Sequence, residues 1–138
     1  MDVAAAACEF PVRVYWSDTD AGGVVYHSRY LDFCEHARTE WLRSRAIAQR
    51  ALVERDAVIF TVVRLTIDFR RPARLDDLLI VRSHPRITGG ASVEFEQEIW
   101  REEGGAELLA SVAVRVACLD AASFRPRRLP ESLRKELA

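Results

Sequence analysis

The sequence predicts an α+β domain in which a five-stranded, largely antiparallel sheet wraps around one long helix. Three observations support this: an alternating apolar segment comes first, a segment of helical periodicity follows, and four strand-like segments complete the chain. One strand, one helix and a run of strands are typical of a single sheet covering a single helix. The 138 residues, 49% of them hydrophobic, suffice for one core and are too few for two ordinary domains.

The first strand is predicted from alternation. Phe10, Val12, Val14 and Trp16 alternate with more polar neighbours, which is the period of a half-buried strand. We expect this strand to continue to Trp16 and to end at the aspartate loop that follows it. The residues before it, 1–8, are expected to be a flexible terminus.

The helix is predicted from a change of period after residue 28. Six apolar residues then fall at helical spacing, with charged residues mainly on the other side. Ser28 is a candidate N-cap, and a second, weaker helical turn is expected over residues 48–54. The predicted apolar stripe consists of Tyr30, Phe33, Cys34, Ala37, Trp41 and Leu42.

Four strands are predicted over residues 58–69, 77–88, 91–101 and 106–119. Alternation is clearest in the last, where the even-numbered residues from Leu108 to Cys118 share one face. The glycine pairs at residues 89–90 and 104–105 are of the kind that two-residue hairpin turns prefer. The last three strands should therefore form an antiparallel meander. The tail, residues 124–138, is basic, with residues 125–128 expected to be solvated and a helix expected from Glu131.

Composition and charge exclude several classes of protein. A formal net charge of −1 gives no reason to expect a nucleic-acid partner. No apolar stretch approaches the roughly 20 residues that cross a bilayer, so no membrane insertion is expected. Cys8, Cys34 and Cys118 lie far apart, which favours reduced thiols in a cytoplasmic protein over disulfides or a metal site.

The loop between the first strand and the helix combines two carboxylates, two glycines and a histidine. A carboxylate can act as base or nucleophile, and a helix start offers unpaired N–H groups to a developing negative charge. Asp18 and Asp20 are equally compatible with an ordinary turn, which favours Asp and Gly. A calcium loop is excluded because the later oxygen ligands and the closing glutamate are missing. No metal is therefore predicted.

The run DTDAGGVVYH, residues 18–27, resembles the hotdog-fold acyl-CoA thioesterases of the Tol-Pal-associated, YbgC-like branch of the 4-hydroxybenzoyl-CoA thioesterase family. The match continues through Tyr30, Phe33 and Glu35 and through residues 37–40. Weaker similarities extend the resemblance over about residues 10–131. They lie at residues 72–77, 95–97, 117–118 and 126–130.

This resemblance implies hydrolysis of an acyl-CoA to a free acid and coenzyme A, with Asp20 as the catalytic carboxylate. Asp20 would attack the thioester or activate water, and the backbone N–H of His27 would bind the thioester carbonyl. The His27 side chain would orient the site or carry a proton. Gly23, Tyr26 and Ser28 are the implied substrate-binding residues. No cofactor is implied, because coenzyme A is part of the substrate.

The resemblance also implies a homo-oligomer, either a homodimer or a homotetramer built as a dimer of dimers. Protein partners in envelope or lipid-synthesis complexes are a further expectation.

Asp18 should support the loop through hydrogen bonds, and Glu35 and Glu40 should form ion pairs with arginines. Four arginines are available for the coenzyme A phosphates. They are Arg86, Arg125, Arg127 and Arg128.

Two alternatives remain open at this point. The first is a non-catalytic module that binds acyl-CoA or serves as a scaffold, in which Asp20 would be dispensable. The second is a hotdog dehydratase acting on hydroxyacyl thioesters, although the HxxPxxPxxPG-like pattern expected near its helix is absent. The sequence does not define the acyl group, which can be short, long or aromatic.

Overall fold

A computed structural model describes residues 8–137 of the chain. Five antiparallel strands form one sheet in the order β1-β3-β4-β5-β2, and one long helix lies against it. The predicted architecture is thus confirmed. The strands are β1 (Cys8–Arg13), β2 (Val58–Phe69), β3 (Leu78–Ile87), β4 (Ser92–Arg101) and β5 (Glu107–Asp120). The helices are α1 (His27–Ser44), α2 (Gln49–Ala51) and α3 (Glu131–Leu137), with a 3-10 turn at Trp16–Asp18 and a π-helical turn at Leu52–Asp56.

The core lies between α1 and the inner face of the sheet. All six residues of the predicted apolar stripe on α1 are buried, which confirms the helical period. Leu79 and Val81 of β3, Ile99 of β4 and Val114 of β5 face them from the sheet. Removal of this apolar surface from water is the main force that holds the helix against the sheet.

The start of the chain departs from prediction at two places. Cys8 already pairs with Ser83 as part of β1, so it is not part of a flexible terminus, and residues 1–7 lie outside the described residues. The strand ends at Arg13 rather than continuing to Trp16, which is 79% exposed in the 3-10 turn. The reason is that Asp18 N–H turns back to the carbonyl of Tyr15 and closes a tight turn.

The first turn of α1 also differs from prediction, because Ser28 is not the N-cap. Tyr26 holds that position with an extended ψ of 139° and no side-chain capping bond. Its N–H donates to the carbonyl of Asp18, which keeps the chain extended up to the residue where the helix begins. Ser28 therefore lies within the first helical turn.

A bulge in β5 corrects the predicted face of Leu108. Ile99 pairs with Ala110 and Trp100 with Leu108, so Leu109 is an extra residue between them. Leu109 is fully buried, whereas Leu108 is only partly buried. A bulge of this kind shifts the alternation by one residue. From Ala110 to Cys118 the predicted face is correct.

The β3-β4-β5 meander is confirmed, but its turns are longer than predicted. Residues 88–91 and 102–106 connect the strands, so neither connection is a two-residue turn. Thr88 N–H donates to the carbonyl of Ser92, which leaves three residues in the first loop. Both Gly104 and Gly105 have positive φ, as glycine allows at low cost.

The C-terminal tail docks onto the domain through its backbone, whereas residues 125–128 are exposed, as predicted. Arg127 N–H donates to the carbonyl of Cys118, and Leu129 N–H donates to that of Gly90. Leu129, and Leu133 of α3, are buried in the same core as α1. The helix predicted from Glu131 onwards is confirmed by α3.

The three cysteines are free thiols, as predicted, and Cys34 and Cys118 are buried. Burial raises the pKa of Cys34 to about 12. Among residues 8–137, no helix combines the length and apolar character needed to cross a membrane.

Candidate active site

The loop between β1 and α1 is shaped by backbone hydrogen bonds around Asp20. The N–H of Gly23 donates to the Asp20 carbonyl over 3.0 Å, and Asp20 N–H donates to the Val24 carbonyl over 2.9 Å. Gly23 has a φ of +81°, a conformation that costs glycine little and strains other residues. Thr19 and Val25 form an isolated antiparallel bridge that closes the base of the loop.

The carboxylate of Asp20 is only partly engaged. Its Oδ1 accepts the N–H of Gly22 at 2.8 Å, and the residue is exposed. Within residues 8–137, Oδ2 accepts no hydrogen bond and no cation lies within ion-pair distance. An ionised carboxylate can accept several hydrogen bonds, so this group keeps most of its capacity for a substrate or water.

Asp18 contrasts with Asp20 because its acceptors are in use. Its Oδ2 accepts the N–H of Tyr15 at 2.9 Å, and its Oδ1 lies 3.6 Å from Arg29 Nε. Its carbonyl accepts the N–H of Tyr26 at 2.9 Å. The predicted role of Asp18, support of the loop by hydrogen bonds, is confirmed.

The N-terminus of α1 presents two unused donors. Tyr26 N–H bonds to Asp18 and Arg29 N–H bonds to the carbonyl of Tyr26. None of the hydrogen bonds within residues 8–137 uses the N–H of His27 or Ser28. The first N–H groups of a helix lack intrahelical partners, and the helix dipole favours negative charge beside them. This end of α1 can therefore stabilise an oxyanion.

Three of the predicted site residues line two surface depressions. Asp20 and Gly23 line one of about 530 Å³. His27 lines another of about 280 Å³. The Tyr26 and His27 rings lie 4.3 Å apart between centroids, and both residues are exposed, as is Ser28. Among the described residues, no hydrogen bond joins the His27 imidazole to Asp20.

A supporting segment, residues 70–77, was not predicted to belong to the site. The N–H of Val25 donates to the Ala73 carbonyl at 2.8 Å. The N–H of Ala73 in turn donates to the buried Tyr30 hydroxyl at 3.0 Å, and burial raises the pKa of that hydroxyl. Arg101 binds Asp77 at 3.0 Å and the Pro72 carbonyl, which anchors the segment. Tyr30 was predicted as part of the apolar stripe and of the family resemblance, but not as a support for this segment.

The predicted arginine and glutamate roles are partly revised. Arg86 is paired with Glu94 at 2.9 Å, and Arg127 donates to Asp120 at 3.2 Å, so both serve internal contacts. Arg125 and Arg128 are exposed. Glu40 pairs with Arg43, as predicted. The prediction for Glu35 is wrong, because it accepts a hydrogen bond from Thr39 instead of pairing with an arginine.

No group of three or more His, Cys, Asp or Glu side chains within residues 8–137 is arranged to hold a metal ion. The absence of a cofactor in the reaction stays a prediction.

Comparison with known proteins identifies the family. The thioesterase superfamily matches residues 22–108. The acyl-CoA thioesterase YbgC of Haemophilus influenzae is 45% identical over 125 residues, which is 91% of this chain and 90% of that protein. The crystal structure of a probable thioesterase from Bartonella henselae has a TM-score of 0.84 and 37% identity, covering 91% of this chain and 100% of that one.

A 1,4-dihydroxy-2-naphthoyl-CoA thioesterase from Synechocystis has a TM-score of 0.89 at 26% identity, over 95% of both chains. The family match begins at Gly22, so it does not include Asp20. It covers more than half of the chain, and the predicted family and fold are both confirmed. The chain therefore belongs to the thioesterase superfamily and has the hotdog fold.

Proposed function

We propose that this protein hydrolyses acyl-CoA thioesters to a free carboxylic acid and coenzyme A, with Asp20 as the reacting carboxylate. The supporting observation is that one loop carries an under-used carboxylate and, at His27 and Ser28, two unpaired N–H groups. Thioester hydrolysis needs an oxygen that attacks or activates water, and donors for a carbonyl oxygen that gains negative charge. The names of the relatives support the substrate class, since they include acyl-CoA and naphthoyl-CoA thioesterases.

The proposal covers two routes that need the same free oxygen. In the first, an Asp20 oxygen attacks the thioester carbon, the C–S bond breaks and the thiolate leaves, and water then hydrolyses the anhydride. In the second, Asp20 takes a proton from a water that attacks the same carbon, the C–S bond breaks, and the coenzyme A thiolate leaves and receives that proton. In both, the N–H of His27 donates to the carbonyl oxygen, and the α1 dipole stabilises the oxyanion.

The remaining site residues have supporting roles in this proposal. Gly23 has open space around its α-carbon, which leaves room for the thioester. The Ser28 N–H is a second donor, and the exposed Tyr26 contacts the substrate. Tyr26 also holds the His27 ring, which orients the site or carries a proton. No cofactor is needed, because these groups and water supply the chemistry.

The test is thiol release from a panel of acyl-CoAs, comparing the wild type with Asp20→Asn. Asparagine keeps an acceptor for the Gly22 N–H, so the fold and its melting temperature should not change. We expect kcat/KM to fall by roughly 10²–10⁴-fold. An unchanged kcat/KM would refute the role of Asp20. Saturable acyl-CoA binding without any thiol release would favour the non-catalytic alternative.

We also propose that two chains pair through β2, which lies at one edge of the sheet. An unpaired edge strand is a template for another strand. β2 is 12 residues long and carries exposed apolar side chains, among them Val62, Val63 and Leu65. Pairing of two dimers into a tetramer would build on this contact.

A charged residue at this edge tests the pairing. Val63→Lys should reduce the molar mass measured by light scattering to that of one chain, because edge lysines block strand pairing. Pro11→Lys, on the opposite edge strand β1, is the control and should leave the mass unchanged. A monomeric wild type, or a Val63→Lys variant of undiminished mass, would contradict the proposal.

The single-domain organisation, the cytoplasmic location and protein partners in envelope or lipid-synthesis complexes stay predictions.

A further inference from the structure

A cavity of about 130 Å³ lies away from the aspartate loop, between α1, the sheet and α3. Its wall is mainly apolar, with side chains from three strands and from the C-terminal helix. None of the residues that line the depression around Asp20 contributes to it. The volume is slightly below that of the ~150 Å³ apolar cavity that holds benzene in another protein, so a chain of roughly six carbons would fit. The apolar wall includes Phe60, Val93, Phe95, Val116, Leu133 and Leu137.

Apart from Trp41, four residues with polar or charged side chains line this cavity, and hydrogen bonds join three of them. Gln49 Nε2 donates to Thr39 Oγ1 at 2.9 Å, and Thr39 Oγ1 donates to Glu35 Oε2 at 2.7 Å. The fourth is Arg38, whose Nη1 donates to Gln97 Oε1 at 3.1 Å. Within residues 8–137, Arg38 has no carboxylate within ion-pair distance. A guanidinium has five N–H donors, so most of those of Arg38 remain available.

A buried hydrogen-bond network centred on Gln97 sets the orientation of Arg38. Gln97 is 1% exposed, and its Nε2 donates to the carbonyl of Cys34 at 3.0 Å and to Ser83 Oγ at 2.9 Å. These bonds leave Oε1 of Gln97 to face Arg38. Burial lowers the pKa of the Arg38 guanidinium, and the nearby Cys34 and Glu35 offset this only in part, with no carboxylate of the described residues at ion-pair distance. A cation held in this way is suited to an incoming anion.

A second donor in the cavity wall is also unused. Trp41 lines the cavity and is 1% exposed, and its indole N–H has no hydrogen-bond partner among the described residues. A buried donor without an acceptor is unfavourable and rare in folded proteins.

We propose that this cavity binds an aliphatic monocarboxylic acid, with its carboxylate on Arg38 and its hydrocarbon chain against the apolar wall. Arginine forms two parallel N–H···O bonds with a carboxylate, which a single neutral oxygen cannot match. The cavity is thus a ligand site separate from the Asp20 loop. One part of this proposal rests on the proposed function: that the bound acid belongs to the class of acids that the enzyme releases. If it does, occupancy of the cavity would rise with the concentration of the product.

The test is isothermal titration calorimetry of the full-length protein with hexanoate, hexanol and acetate. Hexanoate should bind saturably at one site per chain. Hexanol, which lacks the charge, and acetate, which lacks the chain, should each bind at least about tenfold more weakly. Equal affinity for hexanol and hexanoate would contradict the role of Arg38, and absence of saturable hexanoate binding would overturn the proposal.

Variants locate the bound acid. Arg38→Met should weaken hexanoate binding by at least about tenfold. Leu137→Trp, which fills the cavity from a partly buried position on α3, should weaken it similarly and leaves the Gln97 network intact. Melting temperatures of both verify that they fold. The matched control is Arg115→Met, because Arg115 lies on the exposed face of the neighbouring strand β5 and loses the same charge.

Asp20→Asn separates this proposal from the proposed function. Hexanoate binding should persist in that variant, whether or not the wild type releases thiol. Loss of binding in Asp20→Asn would instead assign the acid to the catalytic loop and refute a separate site. Binding that survives both Arg38→Met and Leu137→Trp would refute it equally.

Discussion

Asp20 and Asp120 each accept, on a carboxylate oxygen, the N–H of the residue two positions further along, yet they differ in how fully their carboxylates are used. Asp120 Oδ2 accepts the N–H groups of Ala122 and Ser123 at 3.0 and 2.8 Å, and its Oδ1 accepts Arg127 at 3.2 Å. These bonds, the one from Ser123 foremost, lower the pKa of Asp120. Within residues 8–137, the carboxylate of Asp20 accepts one hydrogen bond, from the N–H of Gly22 at 2.8 Å.

The difference shows what separates a structural carboxylate from a candidate catalytic one. It is the hydrogen-bonding capacity that the protein leaves unused, rather than the residue type. A carboxylate whose oxygens are all engaged stabilises a turn and offers nothing to a substrate. The Asp20 loop takes its shape from backbone hydrogen bonds and leaves its carboxylate free. Substitutions in the Asp20 loop should therefore change activity, and those in the Asp120 turn should change stability.

Among substitutions that keep the Asp20 carboxylate, the largest effect should come from deleting the N–H of His27. Pro is well tolerated at the first helical position, and Tyr26 before it is already extended, so His27→Pro should preserve α1. We expect kcat to fall by roughly 10²–10³-fold, as when one oxyanion donor is removed. Steady-state kinetics of acyl-CoA hydrolysis measure this.

His27→Ala is the matched control, because it removes the imidazole and keeps the N–H. A loss of about tenfold is expected from the side chain alone. Equal losses in the two variants would show that the imidazole, and not the backbone, provides the contact with the carbonyl.

A smaller effect is expected from Gly23→Ala. Alanine at a φ of +81° costs about 1–2 kcal/mol, which should distort the loop and lower kcat/KM about tenfold. Gly90→Ala is the control, since Gly90 lacks a positive φ and an added Cβ would meet nothing within 4 Å. Activity that is retained in Gly23→Ala would show that the loop geometry tolerates strain.

The smallest effect on activity is expected from Asp120→Asn, which should leave kcat/KM within about twofold and lower the melting temperature. Because the folded-state pKa of Asp120 is lowered, its stabilising contribution is present above the ordinary value of 3.8 and is lost as the pH falls through the folded pKa. Thermal melts should therefore differ between variant and wild type at neutral pH and converge as the pH falls through the folded-state pKa of Asp120. A difference that persists at low pH would contradict this account.

Much of the fold could be predicted because burial repeats over short distances along the chain. The stripe on α1 and the bounds of β2 were predicted correctly from the helical and strand periods. The family could also be predicted, since residues 18–27 form one continuous motif. Errors arose where contacts with other segments override the local pattern, as at the Leu109 bulge and at the start of α1.

The sequence by itself determined the fold class, the family and the loop that carries the proposed chemistry. Only the tertiary structure decided which polar groups in this protein are left unsatisfied. The N–H of Val25 donates to the carbonyl of Ala73, about 50 residues further along the chain. Arg38 donates to Gln97 across 59 residues. Such bonds depend on the path of the whole chain, whereas periodicity records only which face of each element is buried. The free oxygen of Asp20 and the available donors of Arg38 could therefore be recognised only once their neighbours were known.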